Sequence, residues 1–178
     1  MTHPTPSILA LIGLRCSGKT TVGRALAEHS GVPFVDLDEE VARAAGVPHV
    51  ATLIERDGID ELRRLEVACL RELTSRADGP MVLSTGGGTV ESEEARRVLE
   101  QEVFTVWLRA PLALLRERMR SDASNPRPSL VAEGDEFAVL DRRRAPWYGD
   151  VARLAIDVEG ASPEELAARI EARWLRSE

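Results

Sequence analysis

Between Gly13 and Thr20 the chain reads GLRCSGKT, a fit to G-x-x-x-x-G-K-[ST] with Gly13, Gly18, Lys19 and Thr20 in the fixed positions. The apolar run ILALI precedes it and the helix-like TVGRALAEH follows, so the motif stands in the strand, loop, helix context that its chemistry needs. Glycines let the backbone wrap closely around an anion, and successive N–H groups together with the positive end of the helix favour phosphate oxygens. A loop of this kind holds a triphosphate: Lys19 reaches the β- and γ-phosphates and the Thr20 hydroxyl ligates Mg²⁺. The 23 Lys plus Arg residues include a single lysine, and it is Lys19. Arginine's planar fork does not replace a compact ammonium between phosphates. A plain glycine-rich turn between strand and helix would leave the placing of that one lysine to accident.

A chain of 178 residues, 43% hydrophobic and 30% charged, suits one compact domain over 1–178 with a sizeable core. Its formal charge of −7 provides no general basic field for nucleic acid or an anionic membrane, so an anionic ligand must meet local clusters of arginine. Cys16 and Cys69 form no CxxC, and metal-type Cys/His spacing is absent, which points to a reduced compartment. Cys16 lies inside the phosphate loop as either a low-pKa thiol or an inert small side chain. His3, His29 and His49 read as surface or cap residues. The start MTHPTPSILALIGL lacks a basic n-region, and no long apolar run follows, so a cytoplasmic monomer is expected, free of membrane and nucleic acid.

Apolar runs of strand length recur as SILALI, PFVDL, MVLST, VFTVWL and ARLAIDV. Segments with helical periodicity, such as DELRRLEVACLREL and PLALLRERM, separate them. This alternation predicts an α/β fold: a doubly wound, five-stranded parallel sheet between two helical layers. Ser162 and Glu165 form a capping box around Pro163 at the start of the last helix. The one loop-like interior stretch, Ser121 to Asp135, is rich in Ser, Asn, Pro and Gly. In a phosphoryl-transfer enzyme such a loop is a lid.

In open α/β sheets ligands bind beyond the carboxyl ends of the strands. After the second strand come Asp36 and Asp38, and if the chain stays extended both carboxylates point to one side. One could hold hydrated Mg²⁺ and the other meet an acceptor hydroxyl; equally, they could cap the next helix. After the third strand, Gly86, Gly87 and Gly88 offer either a bare backbone for a small ligand or a flexible turn. ELRRLE and LDRRRAPWYGD hold several arginines each, most of them by default on an exposed helix face.

Taken in order, GLRCSGKTT, FVDLD, LRRLE, TGGG, RPSL and RAPWY resemble the motifs of the shikimate kinases, a nucleoside-monophosphate-kinase-like P-loop family. The likeness runs over nearly the whole chain. It implies ATP as phosphoryl donor, Mg²⁺, and a small cyclic hydroxy acid as partner, with transfer to the 3-hydroxyl of shikimate. By the same resemblance Gly13, Cys16, Ser17, Gly18, Lys19, Thr20 and Thr21 bind phosphates, while Thr20 and Asp36 hold the metal. Asp38 acts on the acceptor hydroxyl, and Arg63 and Arg144 clamp its carboxylate. Gly86 to Gly88 line its ring, Arg127 swings in on the lid, and Arg120 and Pro163 flank the adenine. Two buried guanidinium groups facing each other need an anion between them. The chain departs from the family pattern at Cys16 for a third loop glycine, at Gly58-Ile59 for a Gly-Glu pair, at Ile54 and Leu62 for two aromatics, and at Ser129 for a leucine. A gluconate kinase would share the loop and lid but has little reason to keep Asp38, Arg63, the glycine triplet and Arg144 together. An inactive nucleotide-binding module has little reason to keep Lys19 and Arg127.

Overall fold

The computed structural model describes residues 7–121 and 134–174. At its centre lies β1 (Ile8–Ile12), all five residues of which are buried. Successive side chains of a strand point to opposite faces. Ile8, Ala10 and Ile12 therefore join one core, and Leu9 and Leu11 join another on the far side. A strand covered on both faces has no solvent side to mark with polar residues, which is why ILALI reads as an unbroken apolar run.

Four further strands pair in parallel: β2 (Phe34–Asp36), β3 (Met81–Ser84), β4 (Phe104–Arg109) and β5 (Leu154–Asp157). The spatial order is β2-β3-β1-β4-β5. Each strand falls on one of the five apolar runs. One face of the sheet is covered by α1 (Lys19–Ser30) and α8 (Pro163–Trp174). The other carries α2 (Leu37–Ala44), α3 (Val50–Asp57), α4 (Ile59–Arg76), α5 (Glu93–Gln101), α7 (Glu136–Val151), and Leu115 of α6 (Leu112–Ser121). The fold is thus a three-layer, doubly wound α/β unit. The capping box closes as expected: the Glu165 N–H donates to Ser162 Oγ at 3.2 Å, and the Ser162 N–H donates to Glu165 Oε2 at 2.8 Å. No described helix is long and apolar enough to cross a membrane.

Adjacent strands β1 and β3 lead into helices on opposite faces, α1 and α5. This is the topological switch point, where the carboxyl ends of the strands open a crevice. Thr85, just past β3, donates from both its N–H and its hydroxyl to the Leu11 carbonyl of β1, each at 3.1 Å. The phosphate loop and the glycine triplet therefore leave the sheet side by side.

The loop itself demands unusual backbone. Gly13 has φ 142°, and a Cβ there would lie 2.7 Å from the Leu108 carbonyl oxygen. Cys16, with φ 63°, is the single non-glycine residue at positive φ among the described residues. A Cβ in the left-handed region costs roughly 1–2 kcal/mol. Cys16→Gly should leave unfolding stability within about 1 kcal/mol, because relief of that cost is offset by a more flexible unfolded chain. Cys16→Val, β-branched in the same conformation, should lose about 1–2 kcal/mol in urea titration.

Candidate active site

The loop and helix α1 place Lys19 with 8% of its surface exposed. Its ammonium donates to the carbonyl oxygens of Gly13 and Leu14, both at 3.0 Å, so the loop folds around the lysine. The Ser17 hydroxyl is buried in the same loop without a hydrogen-bond partner. Buried polar atoms rarely stay unpaired. A spare donor here suits a loop shaped for an oxygen-rich anion.

Asp36 serves in two ways. It is the N-cap of α2, accepting from the Asp38 N–H at 3.0 Å, and its other oxygen accepts from the Thr20 hydroxyl at 3.0 Å. Of the two sequence readings the helix cap is realised: the strand ends at Asp36, two residues before Asp38, because Asp36 caps a helix that starts at Leu37. Asp38 thus sits in the first turn of α2, yet it still lines the crevice. A hydroxyl and a carboxylate are hard oxygen donors. They fit Mg²⁺, which takes one or two protein oxygens and completes its shell with water and phosphate. Among the described residues no group of three or more His, Cys, Asp or Glu could enclose a metal, so an ion at Thr20 and Asp36 needs such outside ligands.

A cavity of about 630 Å³ runs from Lys19 and Thr20 past Asp38 to Arg63 and Arg144. Ile54 and Leu62 form part of its apolar wall. The glycine triplet forms part of the rest, and space dictates its composition. A Cβ on Gly88 would run into the Arg63 guanidinium, and one on Gly86 would lie 2.9 Å from Asp38 Oδ1. Gly87 faces the phosphate loop, with the Arg15 nitrogen 3.2 Å from a built Cβ.

Beyond the glycines lies a cluster of buried charge. Arg63 of α4 donates from Nη1 to Glu66 Oε2 at 2.6 Å, and Glu66 Oε1 accepts from the Thr89 hydroxyl at 2.8 Å. Arg144 of α7 is 3% exposed. Between the two arginines stands Glu91. Its Oε2 accepts from Arg63 Nε and Nη2 at 3.2 and 3.0 Å, and its Oε1 accepts from Arg144 Nε at 3.1 Å. The two arginines therefore meet as expected, and the anion between them belongs to the protein. Burial, opposed by Arg63 and Thr89, leaves the Glu66 carboxyl above its ordinary range. Burial also acts on Glu91, but Arg144, Arg63 and Arg143 outweigh it and hold that carboxyl below its ordinary range. One turn after Arg144, the buried Tyr148 hydroxyl donates to the Gly87 carbonyl, and burial pushes its phenol well upward.

A second cavity of about 340 Å³ adjoins the phosphate loop and is lined by Arg118, Pro163, Val158 and Leu166. Arg120, the expected cation here, is exposed near the end of α6. Arg118, two residues earlier, lines this cavity, and its Nη1 donates to the Cys16 carbonyl at 3.1 Å. Residues two apart on a helix face directions about 200° apart, so only one of the pair can turn to the loop. Arg127 and most of the lid stretch, residues 122–133, lie outside the described residues. The flanks of that stretch are joined by an ion pair between Arg116 and Asp135.

Glu91 and Arg118 do not stand out in sequence, whereas Tyr148, the one tyrosine of the chain, closes the RAPWY segment. Arg118 is one of three arginines in the five residues 116–120, and Glu91 one of three glutamates in four positions. Glu66 was readable in principle, since it lies three residues after Arg63 and so on the same helical face.

The strand order, the loop ahead of α1 and the crevice that joins it to buried arginines define a P-loop kinase fold of the nucleoside-monophosphate-kinase-like class. Residues 15–174 match the shikimate kinase family as a whole. The chain belongs to that family. It is 42% identical over 149 residues to the shikimate kinase of Nitratidesulfovibrio vulgaris, covering 82% of this chain and 83% of that one. To the Chromobacterium violaceum shikimate kinase it is 35% identical over 167 residues, covering 94% and 89%. The structure of the Acinetobacter baumannii shikimate kinase in complex with shikimate superposes with a TM-score of 0.85 at 35% identity, covering 96% of this chain and 94% of that one.

Removing a buried acceptor leaves its donors unsatisfied. Glu66→Ala takes the acceptor from Arg63 Nη1 and from the Thr89 hydroxyl while Glu91 still meets Arg63, and should lower the unfolding free energy by about 1–3 kcal/mol in urea titration.

Proposed function

We propose that this protein transfers the γ-phosphoryl group of ATP to the 3-hydroxyl of shikimate, giving shikimate 3-phosphate and ADP. One observation carries the reading: a single crevice joins the Lys19 and Thr20 end to Asp38 and then to buried arginines. Donor, hydroxyl and acid group thereby have places in one line. Its weight increases because a relative that superposes at a TM-score of 0.85 was solved with shikimate.

In this reading the loop from Gly13 to Thr21 cradles the phosphates and Lys19 meets the β- and γ-oxygens. Thr20 and Asp36 would hold Mg²⁺, which supplies charge neutralisation between the phosphates. Asp38 orients the acceptor hydroxyl and takes up its proton. Arg63 and Arg144 bind the acid group, and the bare face of Gly86 to Gly88 admits the ring. Arg127 belongs to the transferring group. Phosphoryl transfer has a loose, in-line transition state, so these residues act chiefly by positioning and by neutralising charge. Arg118 and Pro163 border the second cavity as walls for the adenine. The protein is read as a monomer working in the cytoplasm.

A coupled ADP-release assay over a panel of hydroxy acids tests the reading. ADP formation should depend on shikimate, and Asp38→Asn should lower turnover by about 10²-fold or more while nucleotide binding persists. ADP release that ignores shikimate, or that follows gluconate instead, would overturn the proposal. A second comparison addresses the adenine wall. Arg118→Ala should raise the KM for ATP about tenfold, the scale of one stacked or charge-assisted contact, and Arg120→Ala should do so less. The reverse order would return Arg120 to that wall.

A further inference from the structure

We propose that Glu91 is an internal substitute for the substrate's acid group: it occupies Arg63 and Arg144 in the free protein and must yield them when the acceptor binds. The inference rests on the reading above that these arginines receive a carboxylate.

The contacts of Glu91 are those of a bound acid. One oxygen takes Nε and Nη2 of Arg63 at 3.2 and 3.0 Å, and the other takes Nε of Arg144 at 3.1 Å and of Arg143 at 3.3 Å. A guanidinium offers its donors to carboxylates in this two-point fashion. Any acid group that binds the same edges meets Glu91 already there, at a separation where two carboxylates repel.

Glu66 has a different station. It touches Nη1 of Arg63 and the Thr89 hydroxyl, and its side chain is 1% exposed. It is a fixed brace under Arg63. Glu91 is 12% exposed in its side chain and ends a short 3₁₀ turn, Thr89–Glu91, directly after the glycine triplet. The backbone of that turn is anchored, because Arg96 Nη1 donates to the Val90 carbonyl at 2.6 Å and to the Glu91 carbonyl at 3.3 Å. Arg96 itself lies over the Trp147 ring, 5.0 Å from its centroid. Anchored backbone and a partly exposed side chain, set behind the arginines that line the cavity, make the release a change of rotamer with no movement of the fold.

Charge points the same way. Arg63, Arg143 and Arg144 face Glu66 and Glu91, with Asp38 nearby. Neutralising Glu91 leaves one more positive charge for the incoming acid. The affinity of a site available only a fraction of the time is reduced by that fraction. If Glu91 leaves the arginines open about a tenth of the time, its removal tightens acid binding about tenfold.

The test uses the full chain as wild type, Glu91→Gln and Glu91→Asp. Steady-state kinetics give KM and kcat, and ligand-induced shifts in melting temperature report binding without turnover. The ligands are shikimate, its neutral carboxamide, and ATP. Glu91→Gln should lower the KM for shikimate about tenfold, with kcat and the KM for ATP within about twofold and carboxamide binding unmoved. Glu91→Asp, which keeps the charge, should stay near wild type. If Glu91→Gln folds less firmly, shikimate should raise its melting temperature more than it raises that of wild type. A KM for shikimate that rises or stays level in Glu91→Gln overturns the inference and leaves the proposed function intact. Tighter shikimate binding by Glu91→Gln without any phosphorylation by wild type supports the inference and overturns that function. Absence of shikimate binding to all three proteins overturns both.

Discussion

The junction of β1 with β3 is the constraint on which the site depends. In the parallel register Leu11 pairs with Ser84, and Thr85 then fastens its amide and hydroxyl to the Leu11 carbonyl. The two loops that leave this point, one rich in backbone donors and one stripped of side chains, cannot then drift apart. Everything chemical is added around them. Helix α1 brings Lys19 and Thr20, α2 brings Asp38, α4 brings Arg63, and α7 brings Arg144. The sheet fixes one line of strand ends, and four helices bring side chains to it.

A second constraint is electrical. Arg63 and Arg144 can stay buried because carboxylates from two different segments meet them. Glu66 comes from the same helix as Arg63, whereas Glu91 comes from the turn after the glycines. The glycines are needed for this as much as for any ligand. A side chain at Gly88 would claim the volume of the Arg63 guanidinium, and one at Gly86 would press on Asp38. The triplet is thus bare on one side because charged side chains pack against it.

The fold was legible because its signals are local and repeated. ILALI, MVLS and VFTVWL are apolar without alternation, as strands covered on both faces must be, and Ser162 with Glu165 marks its helix start unaided. The phosphate loop was legible for the same reason, since all its fixed residues lie within eight positions. What sequence could not convey is direction and partnership. Asp36 and Asp38 look like an extended pair, but the capping strength of Asp36 begins a helix between them. Arg118 and Arg120 differ only in which way α6 is rotated. Glu91 resembles its neighbours Glu93 and Glu94 until the fold sets it between two arginines from helices α4 and α7.

The parallel pairing has a consequence for how the chain acquires its form. No two strands of the sheet are joined by a hairpin. Ile8 finds its partner at Met81 and Leu9 at Phe104, so the central strand is completed only by contacts between distant parts of the chain. Such contacts are slow to form, because the loop must close before pairing rewards it. The helices can begin from short-range order, but the crevice exists only after β1 has both neighbours. Competence to bind is therefore a late event in the life of the nascent chain, and an incomplete chain that ends before β4 has a phosphate-loop sequence without the strand whose Leu108 carbonyl packs against Gly13.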